Sequence, residues 1–186
     1  MAELNNNHKV IPVILSNLSA NDRQRLMAAI NNTWQSHWGW LRYPCPKDFE
    51  HEMSEKKHHW LIVKNHDGAF IGGAFCVTHD PMYPDKVYFG TLWTSPHANK
   101  AGLGSRLIAY IEEQAKKLGK NGVHIVVNPK LKPLISFYER RGYVLMEKSR
   151  QFPGFMRMEK TWDSPEEGHL HRPDKKAISS DQLIVS

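Results

Sequence analysis

The sequence predicts a mixed α/β domain whose sheet is mostly antiparallel and contains one central parallel pair of strands. Short strand-like runs on either side of the turn NHDG, residues 65–68, predict an antiparallel hairpin. Strand-like runs at 86–94 and 123–127, with an amphipathic helix between them, predict parallel neighbours joined by a crossover helix. With 40% hydrophobic residues in a chain of 186, we expect one domain at 1–162 with its own core.

The first half of the chain predicts a strand, two helices and three further strands. β-branched and aliphatic residues at 10–15 favour a short strand. Ser19 and Asp22 resemble a capping box and predict the start of a helix of about four turns. Apolar residues then recur at helical spacing at Leu26, Ile30 and Trp34. The remaining predictions are a short acidic helix at 47–55 and strands at 60–64, 69–78 and 86–94. Gly90 in the last of these predicts a bulge or a close backbone approach.

The second half predicts two helices and three strands. A helical stripe follows the glycines at 102 and 104 and ends at Gly119. The apolar members of the stripe are Leu103, Leu107, Ile108, Ile111, Ala115 and Leu118. Beyond it we expect a strand at 123–127, a helix at 133–141 and strands at 143–146 and 155–162. The polar residues 163–186 predict a tail of low order.

Composition excludes several classes of protein. The net charge of +6 favours an anionic partner, either nucleic acid or a phosphorylated ligand, but no run of five basic residues predicts a nucleic-acid arm. No signal-like segment and no apolar stretch long enough to cross a membrane occurs, so we expect a cytoplasmic protein. Cys45 and Cys76 make no disulfide framework, and the eleven histidines lack zinc-site spacing, so we expect no metal.

The segment HANKAGLGSRLI places Gly102 and Gly104 where a strand gives way to a helix. Free backbone N–H groups and the helix dipole attract anions there, and the missing Cβ atoms let a pyrophosphate approach. A dinucleotide fingerprint would need a third glycine and a P-loop would need Gly-Lys-Ser/Thr, and neither is present. Positive charge comes from Lys100, Arg106, Lys116 and Lys117. The pattern predicts a phosphate-bearing ligand; a tight turn without a ligand is the alternative.

The same segment and a later motif together resemble the GNAT superfamily of acyl-CoA N-acyltransferases. The family loop (Gln/Arg)-x-x-Gly-x-(Gly/Ala) is matched by NKAGLG at 99–104, with Asn in the first position. The family's tyrosine before a charged pair and Gly-aromatic is matched by YERRGY at 138–143. The resemblance covers residues 60–162 and implies the GNAT fold, acetyl-CoA or a related acyl-CoA as co-substrate, and an amine as acceptor.

The resemblance also implies where the ligand lies. The pyrophosphate would rest on the amides of the glycine loop, and the pantetheine arm would pair with the strand before it and reach the asparagine after the next strand. The implied cofactor-binding residues are Leu92, Trp93, Thr94, Asn99, Lys100, Ala101, Gly102, Leu103, Gly104, Ser105 and Asn128. Tyr138 would act as the general acid that protonates the departing thiolate.

A general base is missing from the place where the family often has a glutamate. Tyr88 occupies that position, so we expect either a base acting through water or an amine that arrives neutral. Asp85 and His97 are the candidates for such a base.

The aromatic segment WQSHWGWLRY, residues 34–43, is the candidate acceptor site. Gly39 and the prolines that follow predict a loop, and the connection after the first helix borders the acceptor in GNAT-like folds. Trp38, Trp40 and Tyr43 would line a pocket for an amine and use cation–π attraction. Packing in the core is the alternative.

The sequence therefore predicts an N-acetyltransferase that moves an acetyl group from acetyl-CoA to a primary amine of a small molecule or a peptide or protein. The alternatives are a basic nucleic-acid-binding protein and an acyl-CoA sensor without turnover. The acceptor cannot be identified from the sequence, and a homodimer is compatible with it.

Overall fold

The computed structural model describes residues 10–13, 18–55, 58–99 and 102–162. The elements in chain order are β1 (Val10–Val13), α1 (Ala20–Trp38), α2 (Pro46–Ser54), β2 (His59–Lys64), β3 (Phe70–Val77), β4 (Lys86–Thr94), α3 (Pro96–Asn99), α4 (Leu103–Lys117), β5 (Gly122–Val127), α5 (Lys132–Glu139), β6 (Val144–Lys148) and β7 (Met156–Thr161). The predicted tail at 163–186 lies outside the described residues.

The strands form one seven-stranded sheet in the order β1-β2-β3-β4-β5-β7-β6. Strands β4 and β5 are parallel, and every other neighbouring pair is antiparallel. Helix α4 makes the crossover between β4 and β5, as the alternation of strand and helix patterns predicts. The predicted fold class is confirmed.

Helices cover both faces of the sheet, and each face buries its own apolar cluster. On one face α4 and α5 pack against β4 and β5, and the predicted stripe of α4 is buried there from Leu103 to Ala115. On the other face α1 and α2 pack against β2, β3 and β4 through Leu26, Ile30 and Phe49. The second face is also rich in aromatic residues, among them Tyr43, Trp60, Phe75, Tyr88 and Trp93.

The structure changes the prediction for the aromatic segment. Ser19 caps α1 as expected, its Oγ accepting a hydrogen bond from the backbone N–H of Asp22 at 3.1 Å. The helix is longer than predicted, however, and ends at Gly39, whose φ of 75° suits glycine. Trp38 therefore lies on the last turn of a helix and not on a loop. The short helix α3 before the glycine pair was not predicted.

No helix in the described part of the chain is long and apolar enough to cross a membrane.

Candidate active site

A slot opens between the two parallel strands. Their shared register covers Lys86, Val87 and Tyr88 of β4 opposite Gly122, Val123 and His124 of β5. Both strands then continue, β4 paired with β3 as far as Thr94 and β5 paired with β7 as far as Val127. Because each strand stays paired on its outer side while the inner pairing stops, the strands part and present backbone groups to an extended ligand.

A β-bulge lies on β4 beside this slot. Gly73 of β3 is opposite Trp93, and Phe75 is opposite Gly90, so β4 holds one residue more than β3 over this stretch. Thr91 in the bulge has φ 47°, the one positive φ outside glycine in the described chain. A side chain at Gly90 would not fit, because its Cβ would lie 2.7 Å from the Phe75 ring. The prediction of a bulge at Gly90 is confirmed.

The N-terminus of α4 lies at the open end of the slot. Gly102 is its N-cap, with φ 70°, and no side chain caps the first turn. A Cβ on Gly104 would lie 3.7 Å from the Phe137 ring and 3.8 Å from the Thr94 methyl. Gly104 therefore sits between α5 and the end of β4, and the uncapped amides around it suit an anion. Lys100 and Ala101 lie outside the described residues, as does the side chain of Asn99.

A basic side chain that the sequence analysis missed reaches the same turn. Arg141 donates hydrogen bonds to the Ser105 hydroxyl and to the Phe137 carbonyl, the latter at 2.6 Å, and its guanidinium lies 3.6 Å from the centre of the Phe137 ring. No carboxylate in the described part of the chain forms an ion pair with it. Its positive charge is thus available at the N-terminus of α4.

Two of the predicted basic residues are not part of this site. Lys116 and Lys117 lie in the last turn of α4, about 20 Å from its first turn given the rise of a 15-residue helix. Lys117 forms an ion pair with Glu113 at 2.9 Å, and Lys116 lies over the ring of Trp162. Both lysines therefore lie too far from the first turn of α4 to contribute to an anion site there.

Tyr138 lies on α5 against the slot-facing strand. Its ring is buried among Phe89, Phe137 and Tyr143, with centroids 5.2 to 6.3 Å away. Burial raises the pKa of Tyr138 well above its usual value, with a smaller contribution from Tyr88. The phenol is therefore protonated at neutral pH. No residue of the described chain makes a hydrogen bond to its hydroxyl.

Asn128 lies where β5 turns into α5. Its Oδ1 accepts a hydrogen bond from the backbone N–H of Lys130 at 3.0 Å, and its carbonyl accepts one from Leu131. The side-chain oxygen is thus used in the turn, so a ligand contact would come from the amide nitrogen.

The positions considered for a general base in the sequence lie in different places in the structure. Asp85 precedes β4 at the far end from the bulge, roughly 20 Å from Thr91 at the rise of a strand. There it pairs with Lys86 at 2.9 Å, and this contact lowers its pKa. Tyr88 is buried, and its hydroxyl runs along the strand toward Gly90. Burial raises the pKa of Tyr88, so it holds its proton. The side chain of His97 lies outside the described residues.

A polar cluster that the sequence analysis did not predict lies beside the bulge. Glu52 of α2 accepts hydrogen bonds from Arg42 at 2.7 Å and from the Thr91 hydroxyl at 3.2 Å. The Tyr43 hydroxyl is buried near the same carboxylate and has no hydrogen-bond partner in the described part of the chain. Burial and Glu52 together raise the pKa of Tyr43. The cluster, which we call the bulge cluster, consists of Arg42, Tyr43, Glu52 and Thr91.

The three predicted acceptor residues differ in exposure. Tyr43 is 1% exposed and belongs to the core, so the packing alternative holds for its ring. Trp40 is 48% exposed, and Trp38 is half-buried at the end of α1. The connection between α1 and α2 thus carries an exposed tryptophan next to the buried Tyr43 that reaches the bulge cluster.

His124 closes the inner end of the slot as a buried polar side chain. Its Nε2 lies 3.2 Å from the Asp80 carboxylate, and its ring lies beside those of Tyr83 and Tyr88. Burial lowers the pKa of His124 to about 4, although Asp80 opposes this shift. The side chain is therefore neutral at neutral pH.

This lowered pKa predicts a loss of stability on mild acidification. Between pH 6.5 and about 4 the unfolded chain binds a proton at His124 that the folded chain does not, so the free energy of unfolding falls as the pH falls. In His124→Gln we expect a lower free energy of unfolding at neutral pH and a shallower fall over this range. Urea unfolding at several pH values would measure both; an equally steep fall in the variant would contradict the assignment.

No group of three metal-ligating side chains was found in the described residues.

Two parallel strands that part beside a helix N-terminus containing two glycines are the arrangement that the resemblance to acyl-CoA-dependent acyltransferases implies. The profile of the Acetyltransferase (GNAT) family matches residues 23–143. The chain therefore belongs to the GNAT acetyltransferase family, whose members take the acyl group from acetyl-CoA, and the resemblance seen in its sequence is confirmed.

Known proteins agree with this assignment. The chain is 27% identical over 139 residues to the uncharacterized N-acetyltransferase YoaP of Bacillus subtilis, a match that covers 64% of this chain and 54% of that protein. The chain thus spans about half the length of this curated relative.

Solved structures share the fold. A GNAT-family acetyltransferase from Staphylococcus aureus superposes with a TM-score of 0.66 at 11% identity, over 83% of this chain and 98% of that one. The PaiA N-acetyltransferase of Thermoplasma acidophilum, solved in complex with coenzyme A, superposes with a TM-score of 0.61 at 17% identity, over 83% and 99%.

Proposed function

We propose that this protein is an N-acetyltransferase that moves the acetyl group of acetyl-CoA to a primary amine of a small molecule or of a peptide or protein. The observation that carries the proposal is the parting of β4 and β5 beside Gly104. A slot of this shape receives an extended amide chain on one side and a phosphate group at its open end. We assign the activity to the domain at 1–162, and the compartment to the cytoplasm.

In this proposal the pyrophosphate lies on the backbone amides of residues 99–105. The uncapped first turn of α4 supports this placement. So do the positive charges of Arg106, which lies in that turn, and of Arg141, which donates a hydrogen bond to the Ser105 hydroxyl in the same turn. The pantetheine arm adds to β4 at Leu92, Trp93 and Thr94, with Asn128 on its other side. The bulge at Thr91 interrupts the pairing of β4 with β3, and in this proposal the neighbouring backbone amides hold the acyl carbonyl.

The reaction then proceeds by direct attack. The neutral amine nitrogen forms a bond to the acyl carbon, and the carbonyl electrons move onto oxygen, where the bulge amides stabilise the negative charge. The adduct collapses with cleavage of the carbon–sulfur bond, and Tyr138 donates its proton to the departing sulfur. The nitrogen gives up one proton to a base and Tyr138 regains one by exchange with solvent, so the products are the acetamide and free CoA thiol.

The acceptor enters from the side of α1 and α2. Trp38 is the last residue of α1, and Trp40 and Tyr43 lie on the connection that follows it. The exposed ring of Trp40 supports a role in holding an apolar or cationic amine body.

For Trp38→Ala and Trp40→Ala we expect KM for the amine to rise about tenfold, as expected for loss of a cation–π contact, with acetyl-CoA affinity unchanged. Trp162→Ala is the matched control, because Trp162 lies far from the proposed acceptor site. Its ring packs against Lys116, and its Nε1–H donates a hydrogen bond to the Lys120 carbonyl just beyond the C-terminal end of α4. Steady-state kinetics and thermal melting of the three variants make the comparison. A lower Tm with unchanged KM would place the tryptophans in the core instead.

The direct test is incubation with acetyl-CoA and a panel of small amines and peptides, with free thiol and product mass as readouts. We expect thiol release that depends on the amine, together with a product heavier by one acetyl group. Binding of acetyl-CoA without any product would identify a sensor. Nucleic-acid binding that weakens steeply with salt, without acetyl-CoA binding, would favour the nucleic-acid alternative.

A further inference from the structure

The bulge cluster holds a carboxylate that packing alone does not require. The side chain of Glu52 is 16% exposed, so most of its charge is removed from water. Arg42 and Thr91 donate to different oxygens of this side chain, so a glutamine, with one acceptor oxygen, could accept only one of the two hydrogen bonds. Glu52 therefore uses both of its oxygens to place a negative charge at the bulge.

The bulge residue itself is strained. Thr91 is β-branched, and a positive φ is unfavourable for such residues. Its hydroxyl donates to Glu52 and lies 3.4 Å from Arg42, so residues of α2 and of the preceding connection hold the strained conformation. Strain of this kind persists where the surrounding structure supports it, and it is concentrated at functional sites.

The groups that face Glu52 leave it as the proton acceptor of the bulge cluster. Burial raises the pKa of both Tyr43 and Tyr88, so these phenols keep their protons. Arg42 is a permanent cation. His58 contacts the Glu52 carbonyl through Nδ1 at 3.1 Å and stacks on Phe75 at 4.3 Å, so its ring lies against the backbone side of Glu52.

We propose that Glu52 is the general base that accepts the proton of the acceptor amine, with Arg42 as the residue that positions it. This rests on the proposed function, since it assumes amine attack at the bulge. Glu52 would supply the base for which β4 has Tyr88 in place of a glutamate. This base comes from α2 and not from β4.

The proton balance closes with Tyr138. As the nitrogen bonds to the acyl carbon it becomes positively charged and acidic, and its proton passes to the Glu52 carboxylate. Tyr138 gives a proton to the sulfur when the carbon–sulfur bond breaks. Transfer of one proton from Glu52 to Tyr138 through solvent then restores both groups.

The test compares variants of two glutamates on α2. Glu52→Gln keeps the shape of the side chain and one of its two acceptor oxygens. Glu50→Gln makes the same change at a residue that pairs with Arg23 on the surface. With an amine acetylated by the wild type, we expect the single-turnover rate to fall about 10²-fold in Glu52→Gln. The rate should stay at the parental value in Glu50→Gln and in His58→Gln, and acetyl-CoA affinity should be unchanged in all three.

Chemical rescue separates a base from a structural ion pair. In Glu52→Ala, added formate or acetate should restore part of the rate, and the more basic acetate should be more effective per bound molecule. If Glu52→Gln or Glu52→Ala fails to fold, Glu52→Asp provides the test, because it keeps the carboxylate and moves it back by one methylene. We expect this variant to have the Tm of the parent and a lower single-turnover rate.

A parental single-turnover rate in Glu52→Gln would overturn the proposal, as would a slow Glu52→Ala that neither carboxylate accelerates. In either case the wild type would still transfer acetyl groups, and the proposed function would stand. A wild type that binds acetyl-CoA and acetylates no amine would instead contradict the proposed function.

Discussion

Gly104→Val is expected to weaken acetyl-CoA binding about 10²-fold while the domain stays folded. Gly104 is the second residue of α4, and a Cβ there makes ordinary contacts of 3.7 and 3.8 Å with Phe137 and Thr94. The γ-methyl groups of valine extend further, into the space proposed for the pyrophosphate. Loss of one or two charge-assisted hydrogen bonds, at about 1.5–3 kcal/mol each, gives an effect of this size.

Isothermal titration with acetyl-CoA and thermal melting together measure this prediction. Gly104→Ala is the matched control, because its single methyl fits the contacts above and the family pattern allows alanine there; we expect its affinity within about threefold of the parent. Gly102 is a poorer probe, since its φ of 70° would strain any side chain and confuse loss of fold with loss of binding. If Gly104→Val binds acetyl-CoA with the affinity of the parent, the pyrophosphate does not bind at this turn.

Local patterns were sufficient to predict most of the fold. The Ser19 cap, the apolar stripe of α4 and the strand at 86–94 depend on residues close together in the chain, and each lies where it was predicted. The end of α1 was harder to predict, because Gly39 fits both a loop and a helix stop. In the structure the Gly39 N–H donates a hydrogen bond to the Gln35 carbonyl at 3.0 Å, so the glycine ends the helix.

The polar parts of the site could not be predicted because they depend on contacts between distant residues. Glu52 and Thr91 are 39 residues apart, Arg42 and Thr91 are 49 apart, and Arg141 and Ser105 are 36 apart. Nothing in the spacing of these residues marks them as neighbours. The glycine pair was identifiable because its role is local: the backbone conformation and the missing Cβ atoms both belong to one short segment.

The proposed reaction needs a proton donor for the sulfur and a proton acceptor for the nitrogen, and Tyr138 and Glu52 divide these two roles. Burial keeps Tyr138 protonated, so in this proposal it gives a proton to the sulfur, and the Glu52 carboxylate, which is paired with Arg42, receives one from the nitrogen. The two groups approach the slot from opposite faces of the sheet, Tyr138 with α5 and Glu52 with α2. This arrangement separates the donor from the acceptor and prevents a direct exchange between them.

Tyr138→Phe is expected to lower the single-turnover rate of acetyl transfer about 10²-fold, with acetyl-CoA affinity close to the parent. The substitution keeps the buried ring and its contacts with Phe89 and Phe137, and it removes the hydroxyl alone. Burial raises the pKa of the phenol, so Tyr138 still holds its proton at neutral pH when the carbon–sulfur bond breaks and a thiolate forms.

Rapid-quench measurement of a single turnover is required, because slow product release would hide a change in the chemical step. Tyr143→Phe is the matched control: it removes a phenol hydroxyl from the neighbouring ring, 5.4 Å away, whose partner is Glu112 at 3.1 Å. That variant should lose about 1 kcal/mol of stability and keep its rate. If the rate of Tyr138→Phe equals that of the parent, the thiolate takes its proton from water, since the ring and its packing are unchanged and no other property of the residue differs.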